Sequence, residues 1–249
     1  MNLLDLTLPT PAENLACDEA LLDFFEQHGG EGLLRFWVPE NYFVVVGYGN
    51  HVETEANVAA CAAAGIPILR RCSGGGTVLQ GPGCLNYSLV LQTEAGGPLA
   101  SISAANRFIM ERNRAALANE IRRQQPSAGI EVRGHTDLAL SLPPAAPLKF
   151  SGNAQRRKKN YLLFHGTLLL AFDLPRIEQF LRMPSLEPDY RLGRTHRDFL
   201  TNLNLPADIV KRALREAWQA EDSPEAIPHD DIALLARDRY VTDAWNLKF

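Results

Sequence analysis

Hydrophobic and polar positions along the 249-residue chain switch between a helical and a strand period, which predicts a layered protein of helices and sheet. Thr10-Pro11-Ala12-Glu13 has the form of a helix start: a Thr cap, Pro in the first turn and Glu three residues after the cap. Leu15, Ala16, Leu21, Leu22 and Phe25 then share roughly one face, and Gly29-Gly30 closes the element. Residues 33–37 and 42–47 read as strands joined through Pro39-Glu40-Asn41. Residues 53–64 read as one alanine-rich helix ended by Gly65 and Pro67, and 66–71 as a short strand. Residues 85–92 are apolar and β-prone, and 104–123 read as a long helix with apolar residues at Phe108, Ile109, Ala115, Leu117 and Ile121. Two strands follow at 129–133 and 136–141. Residues 148–155 and 161–172 read as the arms of a β-hairpin with its tip at 156–160, and 173–182 as a short helix.

The composition becomes polar and proline-containing over 183–197, and residues 207–220 and 230–239 beyond it have helical patterning. The fold class this predicts is α+β, a mixed central β-sheet flanked by helices. The expected organisation is a main domain over 1–185, then a polar linker and a small helical C-terminal segment over 186–249.

Composition narrows the function classes. With 46% hydrophobic and 22% charged residues the chain has the make-up of an ordinary globular protein. A net charge of −4 argues against a dedicated nucleic-acid binder. No apolar run approaches the roughly 20 residues that span a bilayer, and the N-terminus lacks the basic and apolar regions of a signal peptide. Cys17, Cys61, Cys72 and Cys84 form no Cys-x-x-Cys pair and no zinc-like cluster with His, so free thiols, a cytoplasmic setting and no certain metal site are expected.

Residues 70–88, Arg-Arg-Cys-Ser-Gly-Gly-Gly-Thr-Val-Leu-Gln-Gly-Pro-Gly-Cys-Leu-Asn-Tyr-Ser, carry the clearest chemistry. Glycine brings the backbone close to a ligand, and arginine offers a planar fork of donors to carboxylate or phosphate. The expected device is an anion cradle, with Arg70 and Arg71 as counter-charges, Ser73, Gly74, Gly75 and Gly76 as the loop, and Thr77 and Val78 lining a cleft near Asn86. No Gly-Lys-Ser/Thr follows the glycines, so it is not a Walker loop.

Strand alternation places Lys149 on one face with Ser151 and Asn153. Lys149 is either a solvated strand lysine or a cation that bridges a carboxylate and a phosphate in an acyl-phosphate reaction. His165 sits in an apolar strand beside Gly166 and is expected in a supporting role. Asp137 is either a turn aspartate or an acceptor for Lys149 or a ligand amine. The run Arg156-Arg157-Lys158-Lys159 reads as a solvated hairpin tip, or else as a docking patch for an acidic partner protein.

In their order along the chain, Arg-Arg-Cys-Ser-Gly-Gly-Gly-Thr-Val, Asn86, Lys149-Phe-Ser-Gly-Asn-Ala and His165-Gly-Thr-Leu-Leu-Leu resemble the lipoate–protein ligase family of the biotin/lipoate cofactor-transferase superfamily. Asn14-Leu-Ala-Cys-Asp18-Glu19 looks like the family's first helix, and the resemblance covers about residues 10–175. It implies a class II ligase-like catalytic domain over 1–185 that converts lipoate and ATP, with Mg²⁺, to lipoyl-adenylate and passes the lipoyl group to a lysine of an acceptor domain. By the same resemblance Arg71 contacts phosphate, and Gly76, Val78 and Leu79 line the acyl-adenylate. Lys149 sits between acyl carbonyl and α-phosphate, and Asp137 orients the nucleotide or the incoming lysine. Gly166 and Thr167 close the adenosine side, and Ser151, Gly152, Ala154 and His165 belong to the same site. Gln80 and Gly81 stand where the family usually has His and Asp, and Gln80 can only hydrogen-bond. The C-terminal segment is shorter than the accessory domain of large bacterial ligases, which leaves room for an accessory subunit. A lipoyl or octanoyl transferase without ATP, and a binding subunit of a two-component ligase, are the competing readings. The transferase forms a cysteine thioester, and no cysteine follows Cys84.

Overall fold

A computed structural model of the chain describes residues 1–222 and 227–249. In chain order the elements are β1 (Asn2–Asp5), α1 (Pro11–His28), β2 (Leu33–Trp37), β3 (Phe43–Val46), α2 (Val52–Glu55), α3 (Val58–Ala63), β4 (Ile68–Arg70), β5 (Val78–Gln80) and β6 (Cys84–Gln92). Then come α4 (Ile102–Gln124), β7 (Gly129–Arg133), β8 (Asp137–Ser141), β9 (Leu148–Arg157), β10 (Tyr161–Leu169), α5 (Pro175–Phe180), α6 (His196–Phe199), α7 (Ala207–Trp218), β11 (Glu221–Asp222), α8 (His229–Leu235) and α9 (Asp243–Asn246). Among the described residues one sheet has the order β11-β1-β2-β6-β10-β9-β8-β7, and a smaller one the order β4-β3-β5. The β1–β2, β1–β11 and β3–β4 pairs are parallel and the others antiparallel, so the mixed α+β sheet expected from the sequence is the fold.

The two faces of the large sheet build different cores. Cross-strand pairing puts Leu34, Phe36, Leu85, Tyr87, Leu89 and Phe164 on one face, under α4 and α7. On α7 the buried residues Val210, Leu214 and Trp218 recur at the spacing of one helix face, each worth about 2 kcal/mol in burial. The opposite face carries Leu33, Trp37, Val90 and Leu163 under α1. There α8 and the π-helical turn Ala236–Tyr240 pack against α1, where Arg239 and the Tyr240 hydroxyl both donate to the buried Glu19 carboxylate at 2.8 Å. The small sheet has its own core of Val44, Val46, Leu79, Cys84 and Phe172.

Several elements differ from the sequence reading, each for a local reason. Residues 53–64 are two helices: Ala56 is extended and bridges Leu181, and the Asn57 side chain caps the second helix at Ala60 N–H. Strands β1 and β11 lack alternation because each is too short to show it. Residues 230–239 end in the π-helical turn. The hairpin tip is shorter than expected, because Arg156 and Arg157 lie within β9. These two side chains donate to Cys72 O and Leu99 O, and Lys158 pairs with Asp23, so the run is not a free cationic tip. Lys159 is exposed. No helix among the described residues is long and apolar enough to cross a membrane.

Candidate active site

The site is built on the α1 face of the large sheet, where β6, β9 and β10 run side by side and the small sheet abuts them. Register pairs His165 with Ser88 and Ala154, and Thr167 with Asn86 and Gly152, so these side chains share one face. Lys149 joins them through a β-bulge. Leu138 opposes Ser151 and the next residue, Ala139, opposes Lys149, so Phe150 is the extra residue. Lys149 therefore stands with Gly152 and Ala154, not with Ser151 and Asn153 as simple alternation predicts. Ser151 and Asn153 face the α4 side, where Asn153 accepts from the Tyr87 hydroxyl and donates to Thr136 O and Ser151 Oγ.

Lys149 Nζ is 2.8 Å from Asp137 Oδ1, and the pair is partly open to solvent. The other carboxylate oxygen, Oδ2, accepts from the Tyr190 hydroxyl at 3.0 Å. Gly152 keeps the surface flat beside the lysine: a Cβ there would lie 3.1 Å from Lys149 Nζ. Farther along the same face the glycine loop crosses β9. A Cβ on Gly75 would lie 3.5 Å from the Ala154 Cβ. Residues 152 and 154 are two apart on β9, about 7 Å, so the loop and the Lys149 ammonium flank one stretch of strand.

The two adjacent arginines do different work. Arg71 turns back into its own loop, with Nε donating to Ser73 Oγ and Gly74 O at 3.1 Å and Nη2 to Gly74 O at 2.5 Å and Gly76 O at 2.7 Å. Burial lowers its pKa to about 10, which leaves it protonated at neutral pH. Each trans peptide points its N–H opposite its C=O. With Gly74 O and Gly76 O drawn to Arg71, the N–H groups of Gly75 and Thr77 face outward. Among the described residues none of the Gly74–Thr77 amides has a protein acceptor. Gly75 has φ +84°, and its carbonyl abuts Gly47, where a Cβ would overlap it. Gly74 and Gly76 are exposed with open space around them.

Arg70, expected as a second counter-charge, is a correction: its guanidinium is fully buried and donates to Gly47 O, Tyr48 O, Asn50 O, Trp245 O and Asn246 O. It ties the C-terminal segment to the strand that delivers the loop, and no donor fork is turned to the sheet face.

Beneath the loop runs a buried polar chain. Arg35 donates to Asp18 Oδ1 at 2.7 Å, Asp18 Oδ2 meets His165 Nδ1 at 2.9 Å, and His165 Nε2 meets Ser73 Oγ at 2.5 Å. Burial raises the pKa of Asp18, but the His165 hydrogen bond and the Arg35 charge outweigh it and hold the carboxyl below its usual range. The ionised carboxylate only accepts, so His165 Nδ1 carries a proton. Nε2 shares a hydrogen bond with the Ser73 hydroxyl, and Ser73 Oγ accepts from Arg71 Nε. The order carboxylate–imidazole–hydroxyl matches a hydrolase triad, but Ser73 is 1% exposed and shares its oxygen with Arg71. The chain holds the loop; the hydroxyl is not presented to a substrate. Arg156, donating to Cys72 O, fixes the loop's other shoulder.

Gln80, Asn86 and Thr167 close a ring of hydrogen bonds on the same face: Gln80 Nε2 to Thr167 Oγ1 at 2.5 Å and to Asn86 Oδ1 at 3.0 Å, and Thr167 Oγ1 to Asn86 Oδ1 at 2.6 Å. Thr77 stands near Asn50, and Val78 packs toward α1. Leu79 is a further correction. Leu79 alternates away into the small-sheet core. The position of a Gly166 side chain would lie on the α4 side, where a Cβ would overlap the Asn153 carboxamide, so the absence of a side chain here admits Asn153.

Sequence reasoning missed Arg35, Tyr190 and Arg156 as parts of this assembly, and placed Asp18 only by resemblance. Asn14, Asp18 and Glu19 interrupt the apolar inward face of α1, Asn14 and Asp18 four apart, a detectable sign of buried polar partners. Nothing local marks Tyr190.

The family described as lipoyl protein ligase A/B catalytic domain matches residues 10–219. An octanoyltransferase LipM of Brevibacillus brevis is 24% identical over 269 residues, covering 96% of this chain and 95% of that protein. Among solved structures, a bi-partite lipoate protein ligase described with its E2 lipoyl domain from Thermoplasma acidophilum superposes with a TM-score of 0.80 at 25% identity, covering 99% of this chain and 95% of that one. A lipoate-protein ligase A bound with ATP gives a TM-score of 0.77 at 24% identity, over 99% and 98% of the two chains. Since the family match takes in the glycine loop, the bulged lysine strand and the His165 strand together, the chain belongs to the lipoyl protein ligase A/B catalytic-domain family.

Proposed function

We propose that the chain attaches a lipoyl group to a lysine of an acceptor protein domain, through lipoyl-adenylate. A lipoate carboxylate oxygen attacks the α-phosphorus of ATP and pyrophosphate leaves. The acceptor lysine ε-amine then attacks the acyl carbon, loses a proton, and AMP leaves with the bonding pair. The observation that carries this reading is the common sheet face: unpaired loop amides at Gly75 and Thr77 on one side and the Lys149 ammonium on the other.

On this reading the loop amides bind phosphate oxygens, with the Arg71 charge buried behind them, and Gly76 and Val78 border the acyl group. Lys149 stabilises charge that develops between acyl oxygen and phosphate in both half-reactions. Asp137 holds Lys149 and offers a carboxylate to an incoming ammonium. Gln80, Asn86 and Thr167 offer neutral polar groups to the nucleotide. Among the described residues no three His, Cys, Asp or Glu side chains gather to hold a metal. Mg²⁺ would thus arrive on the triphosphate, where it neutralises phosphate charge, with no protein cage of its own.

The full-length likeness to an octanoyltransferase supports the second reading, acyl transfer from a thioester carrier without ATP. Against it, all four cysteines are buried, and burial pushes the thiols of Cys72 and Cys84 up to about 12, far from the thiolate a thioester route requires. The likeness to a bi-partite ligase supports an accessory subunit.

Lipoate-dependent ATP–pyrophosphate exchange by the purified chain tests the proposal. Exchange that is lost in Lys149→Ala is the expected result. Exchange undiminished in that variant refutes the role of Lys149. No exchange, with transfer from octanoylated carrier protein, selects the transferase reading.

A further inference from the structure

The segment from Glu187 to Thr201 forms a strap that grips both members of the Lys149–Asp137 pair. Its backbone pairs with the lysine: Leu200 bridges Lys149, and Thr201 N–H donates to Lys149 O at 2.9 Å. Its side chain reaches the aspartate: Tyr190 Oη donates to Asp137 Oδ2 at 3.0 Å while Asp137 Oδ1 holds Lys149 Nζ at 2.8 Å. The Tyr190 ring is set by Phe199, 5.0 Å between centroids, and Arg194 fastens the strap to Pro147 O, one residue before β9. At the β7–β8 turn Gly134, with φ +54°, leaves space for Pro188 and Tyr190; a Cβ there would lie 3.3 Å from Pro188 and 3.9 Å from the tyrosine ring.

We propose that Tyr190 is a positioning residue for Lys149. A carboxylate with one oxygen bound by a phenol cannot rotate freely, and it shares less of its charge with the ammonium. Tyr190 thereby fixes the direction of Asp137 Oδ1 and moderates its hold on Lys149, so the ammonium is directed at the sheet face but can still turn to a substrate oxygen. This inference rests on the reading of Lys149 as the charge stabiliser, yet its geometric part can be measured without any turnover.

The test is Tyr190→Phe, which keeps the ring against Phe199 and removes only the hydroxyl. Acylation of Lys149 by an amine-reactive ester at fixed pH, followed by peptide mass spectrometry, should slow by roughly fivefold, the worth of one hydrogen bond. The rate of lipoyl transfer from synthetic lipoyl-adenylate should fall by a similar factor, with KM within about twofold and the thermal midpoint unchanged. In an Asp137→Asn background the same change should have no further effect on Lys149 labelling, because the carboxylate it acts through is gone. Unchanged labelling and rate in Tyr190→Phe, or equal slowing in both backgrounds, overturns the proposal. Slowed labelling in a protein that transfers no acyl group would sustain the positioning and sink the reaction assigned to the site.

Discussion

Lys149 and Ser151 stand on opposite faces of β9 although two residues apart, because the register slips by one residue between Leu138 and Ala139. That bulge moves the ammonium from the α4 core to the face that carries the glycine loop. Gly152 then leaves the space the lysine occupies. A valine at 152 would press on Lys149 Cε and Nζ. Transfer by Gly152→Val should drop tenfold or more, about 1.4 kcal/mol of barrier, while its circular dichroism and urea midpoint stay close to the parent's.

Asp18 is the buried counter-charge of Arg35 and the partner of His165. Removing it leaves a guanidinium without an anion in the core, so Asp18→Asn should lose about 3–5 kcal/mol in urea unfolding. The pH sign follows from the depressed folded pKa. Its contribution is fully present above the unfolded value of about 3.9 and is lost as pH falls through the folded value. The parent's urea midpoint should therefore fall steeply below that pH, and the Asp18→Asn midpoint should fall less over the same window.

The glycines of the loop separate by conformation. Gly75 is in the left-handed region and abuts both Arg71 and Ala154, so Gly75→Ala should cost about 1–2 kcal/mol and lower the affinity for nucleotide. Gly76→Ala meets open space, and its urea midpoint should match the parent's. Gly166→Ala drives a methyl into the Asn153 carboxamide, and should destabilise by about 1–3 kcal/mol through β9 and β10.

Cys72 and Cys84 flank the loop in sequence, but both thiols are buried with pKa values pushed up to about 12. The folded chain should resist iodoacetamide at pH 8 for hours and react only after denaturation. Cys84→Ala should retain lipoyl transfer from the adenylate; its loss, with acyl transfer from a carrier thioester in the parent, would favour the transferase.

What the sequence shows and what it hides differ for physical reasons. The first helix was legible through its cap and box, and both are present: Glu13 N–H donates to Thr10 Oγ1 and Thr10 N–H to the Glu13 carboxylate. The long strands β6 and β10 were legible as apolar runs. The Lys149 face was misread because a bulge has no signature in alternation. Arg70 and Arg71 look equivalent in sequence, and their roles separate through carbonyls far along the chain from them: Gly47, Tyr48 and Asn50 on one side and Trp245 and Asn246 on the other take up the Arg70 guanidinium. Tyr190 could not be found from local pattern, since its partner is 53 residues away.

The most direct measurement of the central claim is transfer of the lipoyl group from synthetic lipoyl-adenylate to an isolated lipoyl acceptor domain, followed by mass. It bypasses any need for an accessory subunit in the first half-reaction. The parent chain should modify one lysine of the acceptor, and Lys149→Ala should do so at least about a hundredfold more slowly. A parent chain that ignores the adenylate and acylates the acceptor from an octanoyl thioester would contradict the account.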